Sequence, residues 1–187
     1  MTTGIEPFFN SPFDDGTRLK LEIFSGYIRE WLPVFLSQWK RWKQPQQVRI
    51  YDFFAGAGTD DQGNPGSPLL TIQEIMEFCH THADVRASEI HPSILFNDNK
   101  ASHINLLKQK IEAVKCPESF CEIRYSIKNF QTALNDELPQ MKQKDCACLV
   151  IMDQFGVSEI TADVLAKLDQ CPKTDFMFFI TSSFVKR

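Results

Sequence analysis

The sequence has little that points to a membrane or to secretion. No apolar run approaches the ~18 residues that a transmembrane helix needs, and the run at 147–152, ACLVIM, is far shorter. The first residues, MTTGIEPFF, have neither the basic region nor the apolar region of a signal peptide. We therefore expect a cytoplasmic protein that makes no membrane contact.

Cysteine pairs with metal-binding spacing are also missing. The chain has 6 cysteines, and none of them form a CxxC pair. The segment Cys79-His80-Thr81-His82 has no second group of ligands in the sequence that would complete a tetrahedral site. Because a chain of 187 residues can bury a core without disulfides, we expect reduced, mostly buried thiols and no metal.

The chain lacks an excess of basic residues. Lys and Arg total 20 and Asp and Glu total 24, so the net charge of −4 excludes a broad attraction to nucleic acid. One local basic patch, KRWK at 40–43, places cations beside Trp42. These residues either contact a nucleic acid or complement the C-terminal end of a helix before Pro45.

Glycine is scarce and concentrated in one segment. The chain has 8 glycines, fewer than the ~7% average predicts for its length. Four of them, Gly56, Gly58, Gly63 and Gly66, lie close together. Because glycine lets a ligand approach the backbone closely, this segment is the first candidate for a functional site.

The spacing of apolar residues predicts a long amphipathic helix at 14–42, which Pro33 should kink or split. Beyond it, the predicted strands lie at 48–54, 84–88, 121–127, 147–152 and 176–181. The predicted helices lie at 68–80, 94–114, 130–141 and 161–168. This alternation implies parallel strands with right-handed crossovers, and therefore a doubly wound, Rossmann-like α/β sheet. We expect one domain over 1–187, with 1–46 as a helical extension and 47–187 as the ligand-binding sheet.

The glycine segment follows the first predicted strand, where doubly wound sheets bind ligands. A dinucleotide fingerprint is disfavoured, because Asp61 stands where a third small residue belongs and Asp60 adds a second negative charge near the pyrophosphate position. A P-loop is disfavoured because no Lys-Ser or Lys-Thr pair follows the glycines. S-adenosylmethionine fits better, since it has no phosphate and carries two cationic groups that carboxylates such as Asp52 stabilise.

A second ligand signal is Glu89, which follows the second predicted strand. An acidic side chain at this place accepts hydrogen bonds from ribose hydroxyls in adenosine-containing ligands. The alternative is an exposed acid in a turn.

Three groups of residues together carry a resemblance to a known family. They are the string YDFFAGAGTDDQGNPGSPLL at 51–70, Glu89, and Met152-Asp153-Gln154-Phe155-Gly156. These residues resemble the three-Cys-motif partner proteins of bacteria, which in turn are similar to class I S-adenosylmethionine-dependent methyltransferases. The resemblance implies a strand order of 3-2-1-4-5 and a partner, encoded nearby, that carries the cysteine motif.

The resemblance also implies roles for individual residues. It places Asp52, Ala55, Gly56 and Gly58 at the methionine end of the cofactor, Glu89 at the ribose and Asn129 at the adenine. The family's segment after strand four is similar to the Asp-Pro-Pro-aromatic motif of amino-group methyltransferases, in which the acid and a proline carbonyl hold the target nitrogen and an aromatic ring stacks on it. The acid and the aromatic residue of this segment are here Asp153 and Phe155.

The sequence departs from the family pattern at two places. Gln154 stands where the family has proline, and the chain stops at Arg187, before the further strands that methyltransferases have. We expect a truncated chain or a shortened relative, in which 176–181 is an apolar edge strand available for self-association. Two functions stay open: a methyltransferase acting on a nucleic-acid base or a protein amino group, and a non-catalytic module that works through a protein complex.

Overall fold

Five parallel strands and five helices alternate along the part of the chain that the structure describes. The structure is a computed structural model, and it describes residues 12–36, 47–82, 90–153 and 159–179. The helices are α1 (Asp15–Leu36), α2 (Ser67–Thr81), α3 (Ala101–Val114), α4 (Phe130–Met141) and α5 (Ala162–Asp169). The strands are β1 (Gln47–Asp52), β2 (Ser93–Asn97), β3 (Glu122–Ser126), β4 (Cys146–Met152) and β5 (Thr174–Phe178).

The strands form one sheet in the order β3-β2-β1-β4-β5, and every neighbouring pair is parallel. This order confirms the predicted doubly wound, Rossmann-like fold. The order reverses direction between β1 and β4, so the carboxyl ends of these strands flank the crevice in which such sheets bind ligands.

The burial of β4 shows that helices cover both faces of the sheet. All seven residues of β4 are buried, because the strand has a neighbour on each edge and helices on each face. Alternate residues of β4 therefore belong to two separate cores. One core holds residues of α1, α2 and α3, and the other holds residues of α4 and α5.

The N-terminal helix packs on the same face as α2. Arg29 forms a two-pronged ion pair with Glu74 of α2, with nitrogen to oxygen distances of 2.7 and 3.0 Å. The indole of Trp31 donates to Asp175 of β5 at 2.8 Å. The helix continues through Pro33, so the expectation of a split helix is wrong. The part of the predicted helix beyond Leu36 lies outside the described residues.

The position of β2 corrects the sequence analysis. Residues Ser93–Asn97 are a strand, although the sequence predicted a helix over 94–114. All five residues are buried, and the three in the middle, Ile94-Leu95-Phe96, are apolar without the alternation that marks a half-buried strand. The helix begins later, at Ala101. The predicted strand at 84–88 lies outside the described residues.

The remaining elements agree closely with the predictions. The strand β5 begins at Thr174, two residues before its predicted start, and the last residues of the predicted strand lie outside the described part. The predicted patch at 40–43 also lies outside it. None of the described helices combines the length and the apolar character needed to cross a membrane.

Candidate functional site

The glycine turn after β1 is fastened to the end of β2. Gly56 has a φ of 62°, a conformation that favours glycine. Its N–H donates to Asp98 Oδ2 at 3.1 Å, and the N–H of Ala55 donates to the carbonyl of Asn97 at 2.9 Å. The turn therefore lies directly beside the residues that follow β2.

A cavity of about 280 Å³ opens at the carboxyl ends of β1, β2 and β3. One wall is aromatic: the ring of Phe130 lies 5.5 Å from that of Phe53 and 5.1 Å from that of Phe54. The other lining residues are polar or charged: Asn97, Asp98, Asn99, Lys128, Asn129, Gln131 and Glu159. An aromatic wall facing amides and carboxylates can hold a flat ring that carries polar groups.

The buried amide of Asn97 fixes the spacing of the three strand ends. Its Nδ2 donates to the carbonyls of Phe53 and Lys128 at 3.1 and 3.0 Å, and its Oδ1 accepts from the N–H of Lys128 at 3.2 Å. The sequence analysis missed Asn97 because it assigned the segment to a helix. An asparagine directly after the apolar run SILF was the available signal.

The acidic residue that follows β2 is Asp98. Besides Gly56, it accepts from the N–H of Lys100 at 2.8 Å and lies 3.2 Å from Nδ1 of His103. The sequence analysis gave this position to Glu89, which precedes β2 in the chain and lies outside the described residues. Glu89 therefore does not follow the strand that pairs with β1, and its predicted contact with ribose stays a prediction.

The carboxyl of Asp52 is completely buried at the end of β1. It accepts from the hydroxyl of Ser67 at 2.7 Å and from the N–H of Phe54 at 3.2 Å. Burial, together with the negative charges of Asp153 and Asp98, raises the pKa of Asp52 to about 7 and outweighs the two hydrogen bonds, which lower it. Asp52 thus changes charge near neutral pH.

This raised pKa predicts a decline of stability with pH. The unfolded carboxyl loses its proton near pH 3.8 and the folded one near 7, so the free energy of unfolding falls between these values. The fall is on the order of 4 kcal/mol for a shift of this size. Urea unfolding from pH 4 to 8 should show this decline. It should be absent in Asp52→Asn and present in Asp61→Asn, an exposed residue of the next loop; equal pH profiles for all three proteins would contradict the assignment.

Asp60 stabilises the loop that follows the glycine turn. Its carboxylate accepts from the N–H groups of Phe13, Gln62 and Asn64 at 2.8 to 3.0 Å, and from the side chain of Asn64 at 2.7 Å. Burial alone would raise the pKa of Asp60, but these hydrogen bonds outweigh it and lower the pKa. Asp60 therefore stabilises the loop that contains it and binds this loop to Phe13. This role was not predicted from the sequence.

Gly58 faces helix α3. A Cβ at Gly58 would lie 2.7 Å from Leu107 Cδ1, and the φ of Gly58 is +86°. Lys110, one turn further along α3, donates to the carbonyl of Ala57 at 2.9 Å and to the hydroxyl of Thr59 at 2.6 Å. Gly58 thus allows the turn to pack closely on α3, a role that differs from the predicted contact with a cofactor.

Asp153 follows β4 and is paired with the N-terminal helix. Lys20 Nζ lies 2.6 Å from Asp153 Oδ2, and both side chains are about one quarter exposed, at 26% and 21%. The same ammonium lies 5.7 Å from the centre of the Phe179 ring. Phe155, the predicted aromatic partner of Asp153, lies outside the described residues.

Asn129 begins helix α4 as its N-cap. Its side chain accepts from the N–H of Thr132 at 2.9 Å. It also lines the cavity, so it is the predicted site residue that the structure places there. Gly56 and Ala55 are hydrogen-bonded to the lining residues Asp98 and Asn97, whereas Asp52 and Gly58 are not among the lining residues. Over the described ranges no three metal-ligating side chains come together.

Comparisons with known proteins give likenesses of fold. No family model and no curated protein matches this chain. It is similar to a methyltransferase from Geobacter sulfurreducens, with 12% identity and a TM-score of 0.42 over 94% of this chain and 77% of that one. It is also similar to loganic acid methyltransferase with SAH, with 12% identity and a TM-score of 0.37 over 76% of this chain and 38% of the other. Neither likeness identifies a ligand for this chain.

Proposed function

We propose that this chain binds S-adenosylmethionine and transfers its methyl group to a macromolecular acceptor, either a nucleic-acid base or a protein amino group. The observation that carries the proposal is the contact between Asp98, after β2, and Gly56, in the turn after β1, beside the aromatic cavity. A carboxylate at this point of a doubly wound sheet is placed to accept hydrogen bonds from a ribose.

The cavity fits the adenosine part of this cofactor. Its volume of about 280 Å³ lies near the lower end of ligand pockets, which span roughly 300–1,000 Å³. The rings of Phe54 and Phe130 can pack against a purine, and Asn129 can pair with its polar edge. In this arrangement Asp98 accepts from the ribose, and the methionine end extends towards the Gly56 turn.

The charges around the cavity favour a ligand without phosphate. Among the described residues, the acidic residues of the lining are Asp98 and Glu159, and the cationic residue is Lys128, which pairs with Asp136 at 2.7 Å. Phosphates would be repelled by the carboxylates, whereas an ammonium and a sulfonium would be attracted. When bound, S-adenosylmethionine supplies an electrophilic methyl group. Asp153, at the end of the neighbouring strand β4, would then orient the acceptor.

The contact between Lys20 and Asp153 favours a second candidate function. The ammonium of Lys20 is paired with the Asp153 carboxylate, which would otherwise accept a hydrogen bond from the acceptor nitrogen. A non-catalytic module could keep this pair permanently and act through a protein complex. The resemblance of residues 51–70 to three-Cys-motif partner proteins supports such a complex, with a three-Cys-motif protein as the partner.

Ligand-dependent melting tests the proposed cofactor. A ligand at 100 times its dissociation constant adds about 2.7 kcal/mol to the free energy of unfolding. We expect S-adenosylhomocysteine and S-adenosylmethionine to raise the melting temperature, and NAD and ATP to leave it unchanged. Stabilisation by NAD or ATP alone would overturn the proposal.

Variants of Asp153 and Lys20 separate the two functions. In a methyltransferase, Asp153→Asn should lower methyl transfer by orders of magnitude and leave cofactor affinity nearly unchanged, because the loss falls on the transition state. Lys20→Met should keep or raise activity. Transfer can be measured with radiolabelled cofactor on nucleic-acid and protein fractions. If the wild type binds the cofactor and transfers no methyl group, the partner-module function is the better one.

We also propose that β5 pairs with β5 of a second copy. Within the described residues β5 pairs only with β4, so its other edge carries no strand, and Phe176 is 39% exposed. Light scattering at rising concentration should show a dimer, and Phe176→Lys should weaken it because it places a charge on the shared edge. A monomer at every concentration would contradict this prediction.

A further inference from the structure

Two cysteines at the amino end of β3 face each other across a tight turn. Helix α3 ends at Val114, and Lys115 follows with a φ of 55°. The segment Cys116-Pro117-Glu118-Ser119-Phe120-Cys121 then turns back, closed by a hydrogen bond of 2.9 Å from the N–H of Phe120 to the carbonyl of Pro117. This turn brings Cys116 Sγ to 3.6 Å from Cys121 Sγ.

We propose that Cys116 and Cys121 form a thiol–disulfide exchange site that reacts with small-molecule disulfides of the glutathione class. The bond length of a disulfide is about 2.05 Å, and rotation of the two side chains can close the remaining distance because the turn already aligns them. The site lies at the end of the sheet opposite the cavity, so it is independent of the proposed cofactor site.

The two thiols differ in the way that stepwise exchange requires. Cys116 is half-buried, whereas Cys121 is buried. The hydrogen bond between the two thiols lowers the pKa of Cys116, while this contact and burial raise the pKa of Cys121. Cys116 is therefore the thiol that ionises first and meets a reagent, and Cys121 is the thiol that resolves the product.

The exchange reaction takes place in two steps. The Cys116 thiolate attacks one sulfur of the small disulfide, which forms a mixed disulfide and releases one thiolate. The Cys121 thiol then loses its proton and attacks the Cys116 sulfur, which forms the protein disulfide and releases the second thiolate. Overall, the protein dithiol is oxidised by two electrons, and one small disulfide is reduced to two thiols.

The protein contains a matched control pair. Cys146 and Cys148 on β4 are also close, with their sulfurs 3.5 Å apart, but both are completely buried in the core. The pair resembles the first one in distance and in its hydrogen bond and differs in access to solvent. If Cys116 and Cys121 react and Cys146 and Cys148 do not, then the solvent access given by the turn, and not the short distance between two sulfurs, accounts for the reactivity.

The experiment treats the native protein with oxidised glutathione. Thiol titration should show the loss of two of the six thiols, and peptide mapping should find a bond between Cys116 and Cys121. Cys121→Ser should accumulate a glutathione adduct on Cys116, Cys116→Ser should lose the native reaction, and Cys148→Ser should react like the wild type.

Two results would overturn the proposal. One is a first disulfide between any other cysteines. The other is a native wild type that keeps all its thiols at a concentration of oxidised glutathione that oxidises the unfolded chain. Circular dichroism of each variant shows whether it is folded, and the adduct on Cys121→Ser tests Cys116 even if the disulfide itself cannot close.

Discussion

Replacing Gly58 with alanine should destabilise the fold by roughly 2–5 kcal/mol. The new Cβ would lie 2.7 Å from Cδ1 of Leu107, a completely buried residue of α3. Overpacking of this kind costs about 1–3 kcal/mol, and the left-handed conformation of Gly58 costs a non-glycine residue roughly 1–2 kcal/mol more. The free energy of unfolding in urea measures the effect. Gly58→Val should be more severe, because its side chain is larger and β-branched.

Gly63→Ala is the matched control. Gly63 has a φ of +84°, almost the same as that of Gly58, but a Cβ there would have no atom within 4 Å. Gly63→Ala should therefore cost only the conformational part, roughly 1–2 kcal/mol. Equal losses for the two variants would contradict the packing role of Gly58.

A double-mutant cycle isolates the contact with α3. Leu107→Ala alone should cost about 2–5 kcal/mol, because it leaves a cavity. Gly58→Ala should cost much less in that background, since the crowded methyl group is gone, and the two effects should deviate from additivity by at least about 1 kcal/mol. Strict additivity would show that the cost at Gly58 comes from the backbone alone.

The sheet could be predicted from the sequence wherever a strand combined an apolar run with a clear boundary. The strand β1 ends where glycines begin, and β4 is the apolar run between Asp145 and Asp153. The strand β2 was misplaced because SILF is too short for periodicity to separate a strand from the start of a helix. Parallel pairing with β1 and β3 decides its conformation, and that contact is not local.

The candidate site was predictable in its location and less so in its residues. The turn after β1 could be found because the glycines lie at the switch point of the fold. The ion pair between Lys20 and Asp153 joins residues 133 positions apart, and the hydrogen bond of Asp52 with Ser67 spans a loop. Such partners depend on tertiary packing, so the order of residues along the chain could not indicate them.

Asp98→Asn should weaken the binding of S-adenosylhomocysteine by roughly 10–150-fold. This range corresponds to the 1.5–3 kcal/mol that a hydrogen bond to a charged group contributes. Asparagine keeps the shape of the side chain and one acceptor oxygen, so the contact with the N–H of Lys100 can persist. The loss of the negative charge weakens the hydrogen bonds that this side chain accepts from the ribose hydroxyls and from the N–H of Gly56. Titration calorimetry measures the affinity.

The matched control is Glu89→Gln, at the acid that the sequence favoured. Both substitutions remove one negative charge from the stretch around β2, so a general electrostatic effect should weaken binding equally in the two variants. A ribose contact by Asp98 predicts that Glu89→Gln binds like the wild type. The opposite result, a loss of affinity only in Glu89→Gln, would show that Glu89 contacts the ribose. Asp98 would then only stabilise the glycine turn through its hydrogen bond with Gly56.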